Sequence, residues 1–225
     1  MGKPPTERFI IDGIVLDIPG AVLTATLRDR LAQGLYEAPE RRLLHQFVQP
    51  GDRVLDLGAG AGLVAMLAAG IVGAEKVTAV EANPAMHPVI RRNFRLNGLS
   101  GIRLIRGAVG ASGDTVTFHV HPGFWSASLI RNPKLTSQPV EVPVKRFANL
   151  VRRRAATAVL MDIEGAEQHI LADPIPASVR LMVIELHPLV YGADTAAALV
   201  SALKQQGFAM SAQDKGGSVI AMTRG

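Results

Sequence analysis

The stretch from Arg53 to Glu81, RVLDLGAGAGLVAMLAAGIVGAEKVTAVE, constrains this chain more than any other. Val54-Leu55-Asp56-Leu57 is a short, mostly apolar run of the kind that forms a strand buried on both faces. Gly58, Gly60 and Gly62 follow it. Leu63, Met66, Leu67 and Ile71 then recur at helical spacing, and a second run, Lys76 to Val80, is closed by Glu81. Strand, glycine turn, helix and acid-terminated strand together make a socket for a nucleoside-containing cofactor. Without β-carbons the turn can bend sharply and approach a ligand closely. The helix opening at Gly62 or Leu63 presents free N–H groups to the same place.

Missing residues narrow the cofactor. The dinucleotide fingerprint G-x-G-x-x-G needs glycine at position 63, where this chain has Leu63. No G-x-x-x-x-G-K-[ST] occurs, which removes a P-loop. Glu81 ends a strand where a carboxylate can accept both ribose hydroxyls. Asp56 precedes the turn, where its charge can orient the turn or meet an amino group. S-adenosylmethionine therefore stands ahead of nicotinamide and nucleoside triphosphates.

The remaining pattern supplies a frame for this socket. A chain of 225 residues suits one α/β domain with a small appendage. Residues 1–50 are expected to form a hairpin and helical appendage, and residues 51–225 the cofactor-binding domain. Asp12-Gly13 predicts a hairpin turn, Ala21 to Leu31 a helix, and Pro39 the start of a helix that stops at Pro50-Gly51. Asn83-Pro84 predicts a helix start and Asn97-Gly98 its left-handed stop. Further strands are expected at 102–105, 158–161 and 181–186, with helices over 147–153, over 165–172 and around Ala196 to Leu203. Thr115–Val120 and Val140–Val144 alternate like strands, with a long irregular loop between them. Phe208–Ala212 and Ser218–Thr223 flank a short turn, so they must pair antiparallel; a parallel return needs a crossover of about a dozen residues. The expected architecture is α/β: a Rossmann-like, mainly parallel seven-stranded sheet ending in an antiparallel hairpin, the outline of class I methyltransferases.

Family resemblance follows the same residues. VLDLGAGAG with VEANP is similar to motif I and the following acidic motif of class I S-adenosylmethionine-dependent methyltransferases. HPGFWSASL, VPVKRFANL, MDIEGAE and VIELH resemble, in that order, the pattern of the FkbM-type methyltransferases. This resemblance implies methyl transfer to a hydroxyl of a small molecule or sugar. It carries Gly58, Gly60, Gly62 and Glu81 over as cofactor contacts, and Asp162 and Glu164 to the mouth of the site. Glu37, Asp56, Ala59, Ala82, Asn83, Ala108, Val109 and Asp162 complete the expected cofactor set. Where many such enzymes have an acid beside adenine, this chain reads Arg106-Gly107-Ala108, leaving that contact to backbone groups near Ala108.

Ligands bind beyond the C-terminal strand ends of open α/β sheets. Proton-handling residues are therefore sought in Asp162 and Glu164 after the fourth strand, and in Glu185 and His187 at the fifth. Asp162, Glu164 and His187 are the expected catalytic set; they could also ligate magnesium, but no metal is expected. His121, Trp125 and Ser126 are the expected acceptor contacts. The absence of cysteine excludes thiolate metal sites, cysteine nucleophiles and covalent C5 pyrimidine chemistry. The net charge of +5 is modest, with arginines clustered at 91, 92 and 95 and at 152–154. Nucleic acid is the less favoured partner, and an RNA or protein methyltransferase is the alternative, as is a non-catalytic cofactor-binding protein. MGKPPTERF lacks an apolar signal region, and the uncharged stretch 57–74 is broken by glycines, so a cytoplasmic protein without a membrane span is expected. Oligomeric state has no signature here.

Overall fold

The computed structural model describes residues 5–120 and 138–225. An N-terminal hairpin, β1 (Thr6–Ile11) and β2 (Ile14–Pro19), turns on Asp12 and Gly13, both at positive φ. Helix α1 (Ala25–Ala32) starts at Thr24, whose hydroxyl accepts the Leu27 N–H at 3.2 Å. The predicted helix from Ala21 is therefore shorter: residues 20–22 form a separate 3-10 turn. Helix α2 (Ala38–Phe47) has Pro39 in its first turn, as its fixed φ favours.

The central sheet follows as β3 (Val54–Leu57), α3 (Leu63–Val72), β4 (Val77–Glu81), α4 (His87–Leu96) and β5 (Arg103–Arg106). Helix α4 begins three residues beyond the proline of Asn83-Pro84. The Asn83 side chain instead accepts the Ala85 N–H, and the Met86 N–H bonds the Asn83 carbonyl, so the dipeptide makes a turn before the helix. The excursion is more regular than its sequence: β6 (Ala108–Gly110), β7 (Thr115–Val120) and β8 (Gln138–Arg146) form a sheet of order β6-β8-β7. The chain continues through α5 (Phe147–Arg154), β9 (Ala158–Met161), α6 (Glu167–Leu171), β10 (Leu181–Glu185), α7 (Pro188–Tyr191), α8 (Ala193–Gln205), β11 (Ala209–Gln213) and β12 (Val219–Thr223).

The main sheet has the order β11-β12-β10-β9-β3-β4-β5. Its strands are parallel except β12, which pairs antiparallel with β10 and β11. Alternate residues face two separate cores. Val54, Ala79, Leu160 and Val183 pack with α2, α3, α4 and the N-terminal hairpin. Leu55, Val80, Val159 and Ile184 pack with α5, α6 and α8. Burial on both faces explains why these strands read as continuous apolar runs. From β3 the chain winds outward through β4 and β5, then returns through β9 and β10 on the other side. The reversal falls between β3 and β9, where a crevice opens beyond the strand ends. This is the class I methyltransferase fold, and no helix among the described residues is long and apolar enough to cross a membrane.

Candidate active site

A cavity of about 630 Å³ opens at that reversal. One wall is the glycine turn. The Gly58 and Ala59 N–H groups both donate to the Val80 carbonyl, at 3.0 and 3.1 Å, tying the turn to β4. Gly58, Gly60 and Gly62 all have positive φ. Protein packing already requires two of them. A β-carbon on Gly58 would lie 1.6 Å from the Asp162 carbonyl oxygen, and one on Gly62 would lie 2.8 Å from the Phe94 ring.

Glu81 forms the next wall and holds the turn from the side. Its Oε2 accepts the Gly60 N–H at 2.9 Å and its Oε1 the Asn83 N–H at 2.7 Å. The residue is 7% exposed. Burial drives its carboxyl up to about 7, against the pull of the Asn83, Gly60 and Ala82 amides. Asp56, behind the turn, is also raised to about 7, by burial and then by Glu81, and its Oδ2 is buried without a hydrogen-bond partner. Gly107, Ala108 and Val109 line the far side, and the Gly107 N–H donates to the Glu81 carbonyl at 2.9 Å.

The first fifty residues reach the same cavity through Tyr36, Glu37 and Glu40. Glu37 has φ 50°, and its buried Oε2 has no hydrogen-bond partner. Burial holds its carboxyl well above the ordinary range, opposed by the Tyr36 hydroxyl and reinforced by Asp56. Glu40 is raised to about 7 by burial and Glu185.

The opposite wall is the turn after β9 together with the end of β10. His187 Nε2 lies 3.6 Å from Asp162 Oδ1 and 3.4 Å from Glu164 Oε2, while Nδ1 lies 3.2 Å from Glu167 Oε1. Burial disfavours a charged imidazole, but Glu167, Glu164 and Glu185 outweigh it and push His187 up to about 9. Asp162 is held well above the carboxylate range by burial and then by Glu164, Glu185, Glu40 and Glu37. Glu164 rises to about 7 through burial, with His187 opposing. Asp162, Glu185 and His187 present donor atoms within 4.8 Å of one another. With the imidazole protonated, His187 is the ion-pair partner of Glu164 and Glu167.

Of the expected residues, Glu37, Gly58, Gly60, Glu81, Ala82, Ala108, Val109, Asp162, Glu164 and His187 line one cavity. Asp56, and Ala59 and Gly62 within the turn, are buried off the cavity wall, and the Asn83 N–H donates to the Glu81 carboxylate. His121, Trp125 and Ser126 lie outside the described residues. Sequence reading missed Glu40, Asp214 and Phe118 on the cavity wall. Glu40 looks like an ordinary first-turn acid, and Asp214 like a turn former; its side chain accepts the Gly216 and Val219 N–H groups at 2.8 Å. Neither carries a local signal of a cavity.

The residues fit S-adenosylmethionine: orphaned buried carboxylate oxygens, a glycine turn and an acid at the ribose position surround one space. The fold is that of the class I S-adenosylmethionine-dependent methyltransferases. Comparison with known proteins agrees at that level. The model of the TRM5/TYW2 methyltransferase domain matches residues 32–114. A ribosomal protein L11 methyltransferase of Deinococcus radiodurans is 35% identical over 107 residues, covering 45% of this chain and 39% of that protein. This chain thus matches well under half the length of that curated relative. Among solved structures, P. horikoshii TYW2 in complex with MeSAdo superposes with a TM-score of 0.52 at 13% identity, over 99% of this chain and 70% of that one. A precorrin-6y C5,15-methyltransferase from Geobacter metallireducens gives 0.50 at 14%, over 82% and 87%. At such identities the structures speak for the fold alone.

These matches overturn the FkbM-type assignment. Over residues 32–114 the chain is similar to the TRM5/TYW2 methyltransferase domain, and over 107 residues it is similar to an L11 methyltransferase. The misleading pattern has a physical origin. In MDIEGAE, Glu164 and Gly165 both adopt positive φ, and the buried Glu167 accepts N–H groups of that turn. In this chain the motif builds a tight strand-to-helix turn.

Proposed function

We propose that this chain transfers the methyl group of S-adenosylmethionine to a nitrogen of a protein, most simply a primary amine. One observation carries the reading. Seven carboxylates line the cavity (Glu37, Glu40, Glu81, Asp162, Glu164, Glu185 and Asp214), and Arg30 and His187 are the basic residues among the described lining. Burial holds Glu37, Glu40, Glu81, Asp162 and Glu164 at or above about 7, so an entering ammonium group is stabilised as it draws them toward the ionised form, whereas a phosphate opposes that ionisation. The L11 methyltransferase relative supports a protein acceptor by its name. The expected hydroxyl acceptor on a small molecule or sugar gives way to this reading.

The cofactor supplies an electrophilic methyl group on a sulfonium when bound. In this reading Glu81 holds the ribose, and the glycine turn and Ala108–Val109 hold the two ends of the nucleoside. Ala59, Ala82 and Asn83 shape that binding edge, with Glu37 on the cavity wall and Asp56 behind the turn offering buried oxygens as hydrogen-bond acceptors. An amine arrives protonated and must lose a proton before it can attack. Glu164, raised to about 7, suits proton acceptance near neutral pH. Asp162 Oδ1, buried without a hydrogen-bond partner, orients the amine N–H.

The test is transfer from methyl-labelled S-adenosylmethionine to a ribosomal-protein fraction and, separately, to a tRNA fraction. Label that survives nuclease and yields methylated amines on hydrolysis is the expected outcome. Label confined to nuclease-sensitive material assigns the acceptor to RNA and overturns the proposal.

A further inference from the structure

Glu167 is absent from the cavity wall, yet two parts of that wall depend on it. It is fully buried in the first turn of α6. Its Oε1 accepts the Ile163 and Gly165 N–H groups, both at 3.2 Å, and lies 3.2 Å from His187 Nδ1. The two amides belong to the turn that carries Asp162 and Glu164. Glu164 sits at φ 54°, a conformation that a non-glycine residue holds only when its surroundings over-determine it. The third contact is an ion pair at 3.2 Å with the far nitrogen of His187, whose Nδ1 makes no aligned hydrogen bond, and it leaves Nε2 facing Asp162 and Glu164.

We propose that Glu167 is a positioning residue for methyl transfer, fixing Glu164 in its left-handed conformation and aiming His187 Nε2 into the cavity. The inference rests on the reading of Asp162, Glu164 and His187 as the proton-handling end of the site. A carboxylate that orients the remote nitrogen of a histidine sets which ring nitrogen carries the proton and how basic the ring is. Here the other groups around the ring are Asp162 and Glu164 on the turn, Glu185 on β10 and Tyr191 on α7, whose hydroxyl accepts the His187 N–H at 2.7 Å. Glu40 on α2 faces Glu185 and Asp162 from the opposite wall. Glu167 is the one fully buried acid among them, so its charge is screened least. Its Oε2 has no hydrogen-bond partner, which leaves the imidazolium as the principal compensation.

The test compares Glu167→Gln with Glu167→Ala and Glu167→Asp in the full chain. Gln keeps an oxygen for both amides but removes the charge, so the turn should persist and S-adenosylhomocysteine should bind within about threefold of wild type. The His187 ring, followed by nitrogen-15 NMR and assigned with His187→Gln, should lose its proton at least about one pH unit lower in Glu167→Gln. Turnover with the ribosomal-protein fraction should fall at least about tenfold with KM for the cofactor little changed, and Asp should restore part of it. A purely structural role predicts an unmoved imidazole titration and unmoved turnover in the folded Gln variant, and that result overturns the proposal. Unfolding of the Ala variant is expected from loss of both amide partners, and a fully stable Ala variant also counts against it. If His187→Gln is as active as wild type, the proton-handling reading fails, while the imidazole titration still reports the Glu167 contact on its own.

Discussion

Glu81→Gln separates what the carboxylate does for folding from what it does for the cofactor. In the folded protein Glu81 accepts two backbone N–H groups, at 2.9 and 2.7 Å, in a site where burial raises its pKa from 4.5 to about 7. An amide can accept one of those N–H groups but turns its own NH2 toward the other. That mismatch costs about 1–3 kcal/mol at every pH. The charge adds a pH-dependent part. A folded pKa above the unfolded one means that the folded state holds the proton more tightly. The stabilisation is therefore full below about 4.5 and is lost as pH rises through about 7. At about 1.4 kcal/mol per unit, the shift is worth on the order of 3 kcal/mol. Urea unfolding between pH 4.5 and 8.5 should show wild type losing stability relative to Glu81→Gln by roughly that amount. Cofactor binding should change in the opposite sense. Titration with S-adenosylhomocysteine should show a binding loss of about 1–3 kcal/mol that is largest above pH 7, where the wild-type carboxylate is ionised for the ribose. A stability difference that stays flat across this range would refute the burial argument. Equal cofactor affinities above pH 7 would remove Glu81 from the ribose site.

Three further outcomes are expected. Gly58→Ala combines positive φ with a β-carbon 1.6 Å from the Asp162 carbonyl; it should destabilise by about 3 kcal/mol or more, and a melting temperature within a degree or two of wild type would contradict the close approach. Asn93 is fully buried, accepts the Asp17 N–H at 2.9 Å and donates to the Ala61 carbonyl at 3.0 Å, so Asn93→Leu should cost about 2–4 kcal/mol by orphaning both groups and should weaken S-adenosylhomocysteine binding through the turn; unchanged stability would mean that water replaces the amide. Asp162→Ala, which removes the oxygen that orients the amine, should cut turnover by about 100-fold while cofactor affinity moves less than about tenfold, and equal losses would reassign Asp162 to holding the cofactor.

The legible parts of the fold are those whose signal is local. β3, α3, β4 and the terminal hairpin follow from apolar runs, glycines and a short turn. Cavity-lining positions are legible where one residue has to stand at a strand end, as with Glu81, Asp162 and His187. They are illegible where residues far apart in the chain converge. Glu40 and Asp214 reach one cavity from helix α2 and from a hairpin turn, and nothing in either local sequence distinguishes them from a first-turn acid or an Asx turn. The start of α4 was misjudged for a related reason: Asn83 spends its side chain on the Ala85 N–H, and its own N–H is taken by Glu81. The glycine turn was read for the wrong reason in part. Glycine was expected there for ligand approach, whereas at positions 58 and 62 the protein itself occupies the space.

That last point joins the two halves of the site. Gly58 lies against the Asp162 carbonyl, and the Asp162 N–H donates to the Leu57 carbonyl at 2.9 Å, so the end of β3 and the end of β9 are locked face to face. Beyond the lock, the β3 side runs into the cofactor turn, and the β9 side runs into the Glu164 turn that Glu167 clamps. In the proposed reading, the glycine turn and the carboxylates after β9 are therefore placed by one packed junction rather than by two independent loops. Methyl transfer is a displacement whose rate depends on alignment of donor and acceptor, and misplacement by about 1 Å can cost on the order of 100-fold. A junction with no room for a single β-carbon is a rigid way to hold that alignment. It follows that substitutions at Gly58, although nominally in the cofactor turn, should disturb the Asp162 and His187 resonances as strongly as they disturb cofactor binding.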